Sequence, residues 1–172
     1  MAVDQEEAGS RYVAHGVNLS GMTDDALLSG LPATEPGTLM ERMGIILLEA
    51  RIERLVATMP VAGNTQPYGL LHGGASVVLA ETLGSYGAAL HAGADRVAVG
   101  LEVNATHHRA VREGLVTAVA TPVHLGSTVA TYEIVVVDEL ERRVCTARLT
   151  CALIDDRRSS SGPTSTGSEP RS

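Results

Sequence analysis

The chain has 172 residues, 44% of them hydrophobic, and carries 13 arginines and no lysine against 20 acidic residues, for a formal net charge of −7. Size and composition suit one soluble globular domain. Residues 1–43 hold two arginines and seven acids, residues 44–154 eight and ten, and the last 18 residues three of each, so the central segment is nearly neutral. With no basic surface, no Trp, no Phe and four Tyr, the chain lacks both phosphate-binding charge and platforms for stacking bases, which excludes a nucleic-acid partner from the expectation. No apolar run approaches the ~18 residues of a membrane span. The opening MAVDQEEAGS has neither the basic nor the apolar region of a signal peptide, so the expected location is cytoplasmic, with no membrane partner.

Taken in chain order, residues 1–20 are poor in large apolar side chains and read as a mobile tail. TDDALLSGL, Thr23 to Leu31, begins with an N-cap candidate and first-turn acids and then places Leu27, Leu28 and Leu31 at helical spacing, predicting a short amphipathic helix. Pro32, Pro36 and Gly37 interrupt it, so residues 1–37 form an amino-terminal extension to a domain over 38–154. Residues 40–61, MERMGIILLEARIERLVATMPV, are rich in aliphatic and β-branched residues and predict a strand pair. GGASVVLAETLGSYGAALHA, Gly73 to Ala92, is the one long helical candidate. Its apolar residues point in nearly every direction, so it is expected to be buried on most sides. Four further strands are predicted over 97–106, 115–125, 128–137 and 143–154. In the last, Cys145, Ala147, Leu149, Cys151 and Leu153 share one parity while Thr146, Arg148 and Thr150 take the other. The tail 155–172 mixes Ser, Gly, Pro and charge and is expected to be disordered. Two strands, a helix and four strands, without βαβ alternation, make an α+β fold in which an antiparallel sheet wraps one central helix.

Cys145 and Cys151 lie six apart on one strand, about 20 Å at strand rise, too far for a disulfide, and read as small buried hydrophobes. The six histidines show no zinc-ligand spacing, and no metal or organic cofactor is expected. The central helix carries one ionisable anomaly, Glu81. A carboxylate buried among apolar residues has its charged form disfavoured, which raises its pKa toward the range of a general base. Ser85, one turn on, shares its face and could hold a water against it. The alternative is a Glu that reaches solvent at a groove edge with Ser85 as a packing residue. The helix start, His72-Gly73-Gly74, offers free N–H groups and the positive end of the helix dipole to an oxyanion such as a thioester carbonyl, or is simply a glycine-rich helix start. Gly73 and Glu81 are about 12 Å apart along one axis, too far to serve one carbonyl. Two helices packed antiparallel across a two-fold axis would bring them together, so a site shared between subunits of a homodimer is expected.

Gln66 to Glu81 (QPYGLLHGGASVVLAE), Gly100 to His107 (GLEVNATH) and His124 to Ser127 (HLGS) closely resemble the PaaI-like, hotdog-fold acyl-CoA thioesterases over about residues 38–154. The resemblance is greatest to the branch holding the 1,4-dihydroxy-2-naphthoyl-CoA thioesterase of menaquinone synthesis and the proofreading thioesterase of enterobactin synthesis. It implies a hotdog fold, no cofactor beyond the coenzyme A of the substrate, and a homotetramer made of two dimers. It puts the catalytic carboxylate at Glu81, the polarising helix-start glycine at Gly73, the substrate-side glutamine at Gln66, the motif histidine at His72 and the helix hydroxyl at Ser85. His107 becomes a substrate-side imidazole, with Tyr68, Val78 and Thr82 beside it at the acyl group. Coenzyme A is expected at Arg109, Arg112, His124, Gly126 and Ser127. Two rival readings on the same scaffold are a non-catalytic acyl-CoA-binding regulator, which would not need Glu81 or Gln66, and an enoyl-CoA hydratase, whose Asp and His arrangement is not present.

Overall fold

The structure is a computed structural model and describes residues 36–156, so the predicted helix at 23–31 and most of both tails lie outside the described residues. Thr38 opens the described part as an N-cap whose hydroxyl accepts from the Glu41 N–H at 3.3 Å, starting a one-turn helix α1, Leu39–Arg42. The strand pair expected over 40–61 therefore begins later, because the capped turn competes successfully for residues 39–42. Strands β1, Ile46–Arg51, and β2, Arg54–Pro60, then form the expected hairpin, with Arg51 opposite Arg54 and a Glu49–Arg54 ion pair across it.

Helix α2 runs over Gly73–Ala92, as the sequence predicts. The last four strands are β3, Arg96–His107; β4, Leu115–Leu125; β5, Val129–Asp138; and β6, Arg143–Asp155, each within two residues of its predicted bounds. All six pair antiparallel in the order β1-β2-β4-β5-β6-β3. The connection from α2 thus carries β3 to an edge of the sheet, beside β6, which is last in the chain.

The sheet curves around α2, which packs against every strand. Alternation along each strand supplies the inner face: Leu55, Ala57 and Met59 of β2, Ala118 and Ala120 of β4, Tyr132, Ile134 and Val136 of β5, and the five residues of one parity on β6 are all buried. The helix answers with small residues. A Cβ added to Gly84 would fall 2.6 Å from Leu149 Cδ2, and one at Gly87 2.5 Å from Tyr132 Cζ, so the helix axis lies as near the sheet as glycine permits. Both cysteines are buried free thiols on the inner face of β6. Among the described residues no helix is long and apolar enough to cross a membrane.

One expectation about α2 is corrected. Its buried residues, Ala75, Ser76, Leu79, Ala80, Leu83, Gly84, Gly87, Ala88 and Ala92, fall on one face, and the opposite face is only half-buried or open. Hydrophobicity was distributed around the whole helix, but closeness of approach, set by Gly and Ala, decides which side meets the sheet. Glu81 stands on the open side and is exposed in the single chain, so one chain does not supply the apolar enclosure read from its neighbours in sequence.

Candidate active site

The loop that feeds α2 is fixed by its backbone and by one asparagine. Asn64 Nδ2 donates to the carbonyls of Met43 and Pro60, each at 2.8 Å, and its own carbonyl accepts from the His72 N–H at 2.9 Å. Gln66 and Leu70 close a turn (Gln66 N–H to Leu70 O, 2.8 Å), and Leu71 N–H reaches Val111 O at 2.7 Å, tying the helix start to the β3–β4 connection. Composition gave no sign of this role for Asn64, which is structural and was not singled out in the sequence.

At the helix start His72 is the N-cap, and its Nδ1 accepts from the Gly74 N–H at 2.8 Å. Its imidazole is thereby occupied in holding the first turn. The Ala75 and Ser76 N–H groups both turn to the His72 carbonyl, at 2.9 and 3.3 Å. Among the described residues the Gly73 N–H is left without an acceptor. A Cβ at Gly73 would lie 2.9 Å from His107 Nε2, so glycine is what allows the imidazole to lie against the helix start. Gln66, Gly73, Ser76, His107, His108 and Arg109 line a cavity of about 370 Å³ here. No hydrogen-bond partner for the side chains of Gln66 and His107 occurs among the described residues, whereas His108 is engaged with Thr146 Oγ1 at 2.9 Å.

Glu81 lies elsewhere. Its carboxylate stands over Gly100 of β3, where an added Cβ would be 3.7 Å from Oε1, and it has neither a hydrogen bond nor an ion pair among the described residues. Ser85, one turn along, hydrogen-bonds the Cys151 thiol, the residue opposite Gly100 on β6. Burial pushes that thiol above its usual range; the Ser85 hydrogen bond opposes this and the nearby Glu81 charge adds to it. The serine hydroxyl is thus partnered by a cysteine that the sequence offered only as a packing residue. Thr82 is also committed locally, donating to Val78 O at 2.7 Å.

The remaining predicted residues divide between two places. Arg109 lines the cavity, and Arg112 reaches the Tyr68 carbonyl at 3.4 Å, while the Tyr68 side chain itself is 81% exposed and lines no part of the cavity. His124, Gly126 and Ser127 lie at the β4–β5 turn. That turn adjoins the start of β3, whereas Arg109 follows its end, and at about 3.3 Å per residue the length of β3 separates them by more than 30 Å. One chain brings together Gln66, Gly73, His107 and Arg109. It does not bring Glu81, Ser85, Val78 and Thr82 to them, nor the β4–β5 turn to Arg109.

Comparison with known proteins defines the class. Residues 68–145 match the thioesterase superfamily. The chain is 48% identical over 128 residues to the proofreading thioesterase EntH of Cronobacter sakazakii, covering 74% of this chain and 93% of that protein. A thioesterase of Haemophilus influenzae shares the fold with a TM-score of 0.67 at 40% identity, over 70% of this chain and 85% of that one. A Staphylococcus aureus thioesterase does so with a TM-score of 0.65 at 32% identity, over 67% and 98%. Two structures of the latter replace a glutamine and a glutamate with alanine, at positions separated by the same stretch of sequence as Gln66 and Glu81. The chain belongs to the thioesterase superfamily, with the hotdog fold, and is a thioester hydrolase.

Proposed function

We propose that the chain hydrolyses an aryl-CoA thioester to the free acid and coenzyme A, with 1,4-dihydroxy-2-naphthoyl-CoA the best single substrate, using no metal or organic cofactor. The Gly73 N–H, at the positive end of α2, polarises the thioester carbonyl, and Gln66 orients the group. Glu81 either takes the proton of an attacking water or attacks the carbonyl carbon itself, giving a mixed anhydride that water then opens with loss of the free acid. The thiolate of coenzyme A departs in the first step of either route. The observation that carries the reading is the set of unpartnered groups. Among the described residues of one chain the Gly73 N–H and the Gln66 and His107 side chains have no partners around a cavity, and an equally unpartnered carboxylate stands about two helical turns away.

The distance between them supports a site completed by a second copy. β3 is an edge strand whose Val99 and Leu101 are 45% and 62% exposed, and such an edge invites pairing. An antiparallel pairing of two β3 strands, with its two-fold axis midway between Gly100 and His107, sets Gly100 and the Glu81 carboxylate above it opposite the other copy's His107. The same pairing brings the β4–β5 turn of one copy toward the Arg109 side of the other, so that Arg109, Arg112, His124, Gly126 and Ser127 hold coenzyme A jointly. The working assembly is a cytoplasmic tetramer of two such dimers. Val78, Thr82 and Tyr68 then border the acyl group, and His107 hydrogen-bonds a ring hydroxyl.

Two measurements test this reading. Thiol release from hydroxyaryl-CoA esters should show a higher kcat/KM than from hexanoyl-CoA, and His107→Ala should narrow the gap, because a site that hydrogen-bonds a hydroxyl discriminates more than an apolar pocket. Equal efficiency on hexanoyl-CoA removes the aryl assignment. Mixing inactive Gln66→Ala/Gly73→Val subunits with inactive Glu81→Ala subunits should restore one site per mixed dimer. If subunit exchange is verified and no activity returns, each site belongs to one chain.

A further inference from the structure

The β4–β5 turn is held in an unusual way. Its three successive carbonyls are all engaged from the protein side: Gly126 O by His91 Nε2 at 2.9 Å, Ser127 O by Arg96 Nη1, and Thr128 O by the Leu153 N–H at 2.8 Å. Arg96 also donates through Nε to Ala92 O at 3.2 Å, so one guanidinium caps the last turn of α2 and grips the loop. His91 belongs to the same last turn and is half-buried. All peptide bonds described are trans. In a trans peptide the N–H points opposite to its C=O, so the Ser127 and Thr128 N–H groups face away from His91 and Arg96. Both residues are exposed, and His124 is exposed beside them, near enough that a Cβ at Gly126 would meet its Nε2 at 2.6 Å. In a chain of net charge −7, this turn presents backbone N–H groups and an imidazole with its acceptor oxygens turned inward, an arrangement suited to a phosphate group.

We propose that His91 and Arg96 are positioning residues for the nucleotide end of the coenzyme A ester. They clamp the β4–β5 turn to the end of α2, the helix that carries Glu81. A diphosphate bound at the turn is thereby held at a fixed offset from the carboxylate, and neither side chain needs to touch the ligand. The inference rests on the assignment of Gly126 and Ser127 to coenzyme A.

The test compares benzoyl-CoA with S-benzoyl-N-acetylcysteamine, which has the same acyl group and sulfur but no nucleotide, in the wild type and in His91→Ala, His91→Gln and Arg96→Ala. His91→Ala should raise KM for benzoyl-CoA up to about tenfold, the upper end for one lost hydrogen bond, with kcat within about twofold. It should leave both constants for the truncated ester unchanged. His91→Gln, which retains an N–H donor, should recover most of the lost affinity, and Arg96→Ala should follow His91→Ala. A fall in kcat on both esters alike, or an unchanged KM for benzoyl-CoA in His91→Ala, overturns the clamp. If the wild type itself binds the two esters equally well, the assignment of the turn to coenzyme A fails and the clamp fails with it. A wild-type preference that His91→Ala retains removes the clamp alone.

Discussion

The two faces of helix α2 are made under opposite constraints. On the face toward the sheet, Gly84 and Gly87 leave no space for a methyl group against Leu149 and Tyr132, and every neighbour is buried. At the helix start Gly73 lies against His107, and on the outer face Glu81 is exposed, and the Gly73 N–H and the Glu81 carboxylate find no partner among the described residues. A satisfied, close-packed face specifies a fold, and unsatisfied polar groups on a rigid support specify a ligand. Both sets include glycine, for different reasons. Gly84 and Gly87 set the distance between helix and sheet, while Gly73 admits an imidazole and leaves an amide open.

The sharpest way to break this comparison is to change one residue on each side: bulk on the packed face, charge on the open one. Gly87→Val adds a β-branched side chain where a single Cβ would already meet the Tyr132 ring at 2.5 Å and Leu55 at 2.9 Å. The cost should be about 3 kcal/mol or more, since overpacking a rigid core ranges up to that value and here the obstacle is a ring between buried neighbours. Denaturant melts should show a shifted midpoint or no folded protein, and a melt like the wild type's would mean that α2 can move off the sheet freely. On the open face, Glu81→Gln keeps size and shape, so the melt should be unchanged. Thioester hydrolysis should nevertheless fall at least 10²-fold, about 2.7 kcal/mol of transition-state stabilisation. A folded Gln variant with wild-type turnover removes Glu81 from the mechanism.

The same contrast explains what the sequence could show. Strand alternation is a local property, and Cys145 to Leu153 or Tyr132 to Val136 reveal their buried parity from composition alone. The fold was therefore legible; Glu81 and the His72-Gly73-Gly74 helix start stood out as candidates by their chemistry, Gln66 and His107 through resemblance. The orientation of α2 was not legible. Its buried face sets Gly84, Gly87 and Ala88 beside Leu79 and Leu83 while Val78 and Leu90 lie outside it, so the sequence left an enclosed and a solvent-reaching Glu81 both open, and the structure shows it exposed. The separation of Arg109 from the β4–β5 turn, both assigned to coenzyme A by resemblance, was also hidden, because it depends on β3 lying at the sheet edge beside the last strand of the chain. Asn64, His91 and Arg96 act through carbonyl oxygens, and a carbonyl acceptor leaves no trace in sequence. The single helical turn at Leu39–Arg42 rests on one capping hydroxyl, a weaker signal than the aliphatic run that follows it.

A finer test of the packed face uses the ring that Gly87 abuts. Tyr132 is 1% exposed, and its hydroxyl donates to Ile52 O at 2.9 Å, reaching the turn between β1 and β2. Burial, and then the charges of Glu53 and Cys151, push its pKa from 10.0 up to about 12. A raised pKa in the folded state means that the unfolded chain ionises first. The stability due to the neutral phenol is therefore complete below pH ~10 and is lost as pH rises through about 12. Tyr132→Phe should cost about 1 kcal/mol at pH 7, the net value of one hydrogen bond, and leave the Ile52 carbonyl to find water at the turn. Its stability should also decline less steeply than the wild type's between pH 10 and 12. Some decline remains, because burial raises the Cys145 and Cys151 thiols and Tyr86 as well. Denaturant midpoints across that window measure the difference. Parallel curves for the two proteins would mean that the phenol ionises in the folded state as easily as in the unfolded one, and that the face of α2 against Tyr132 is open to water after all.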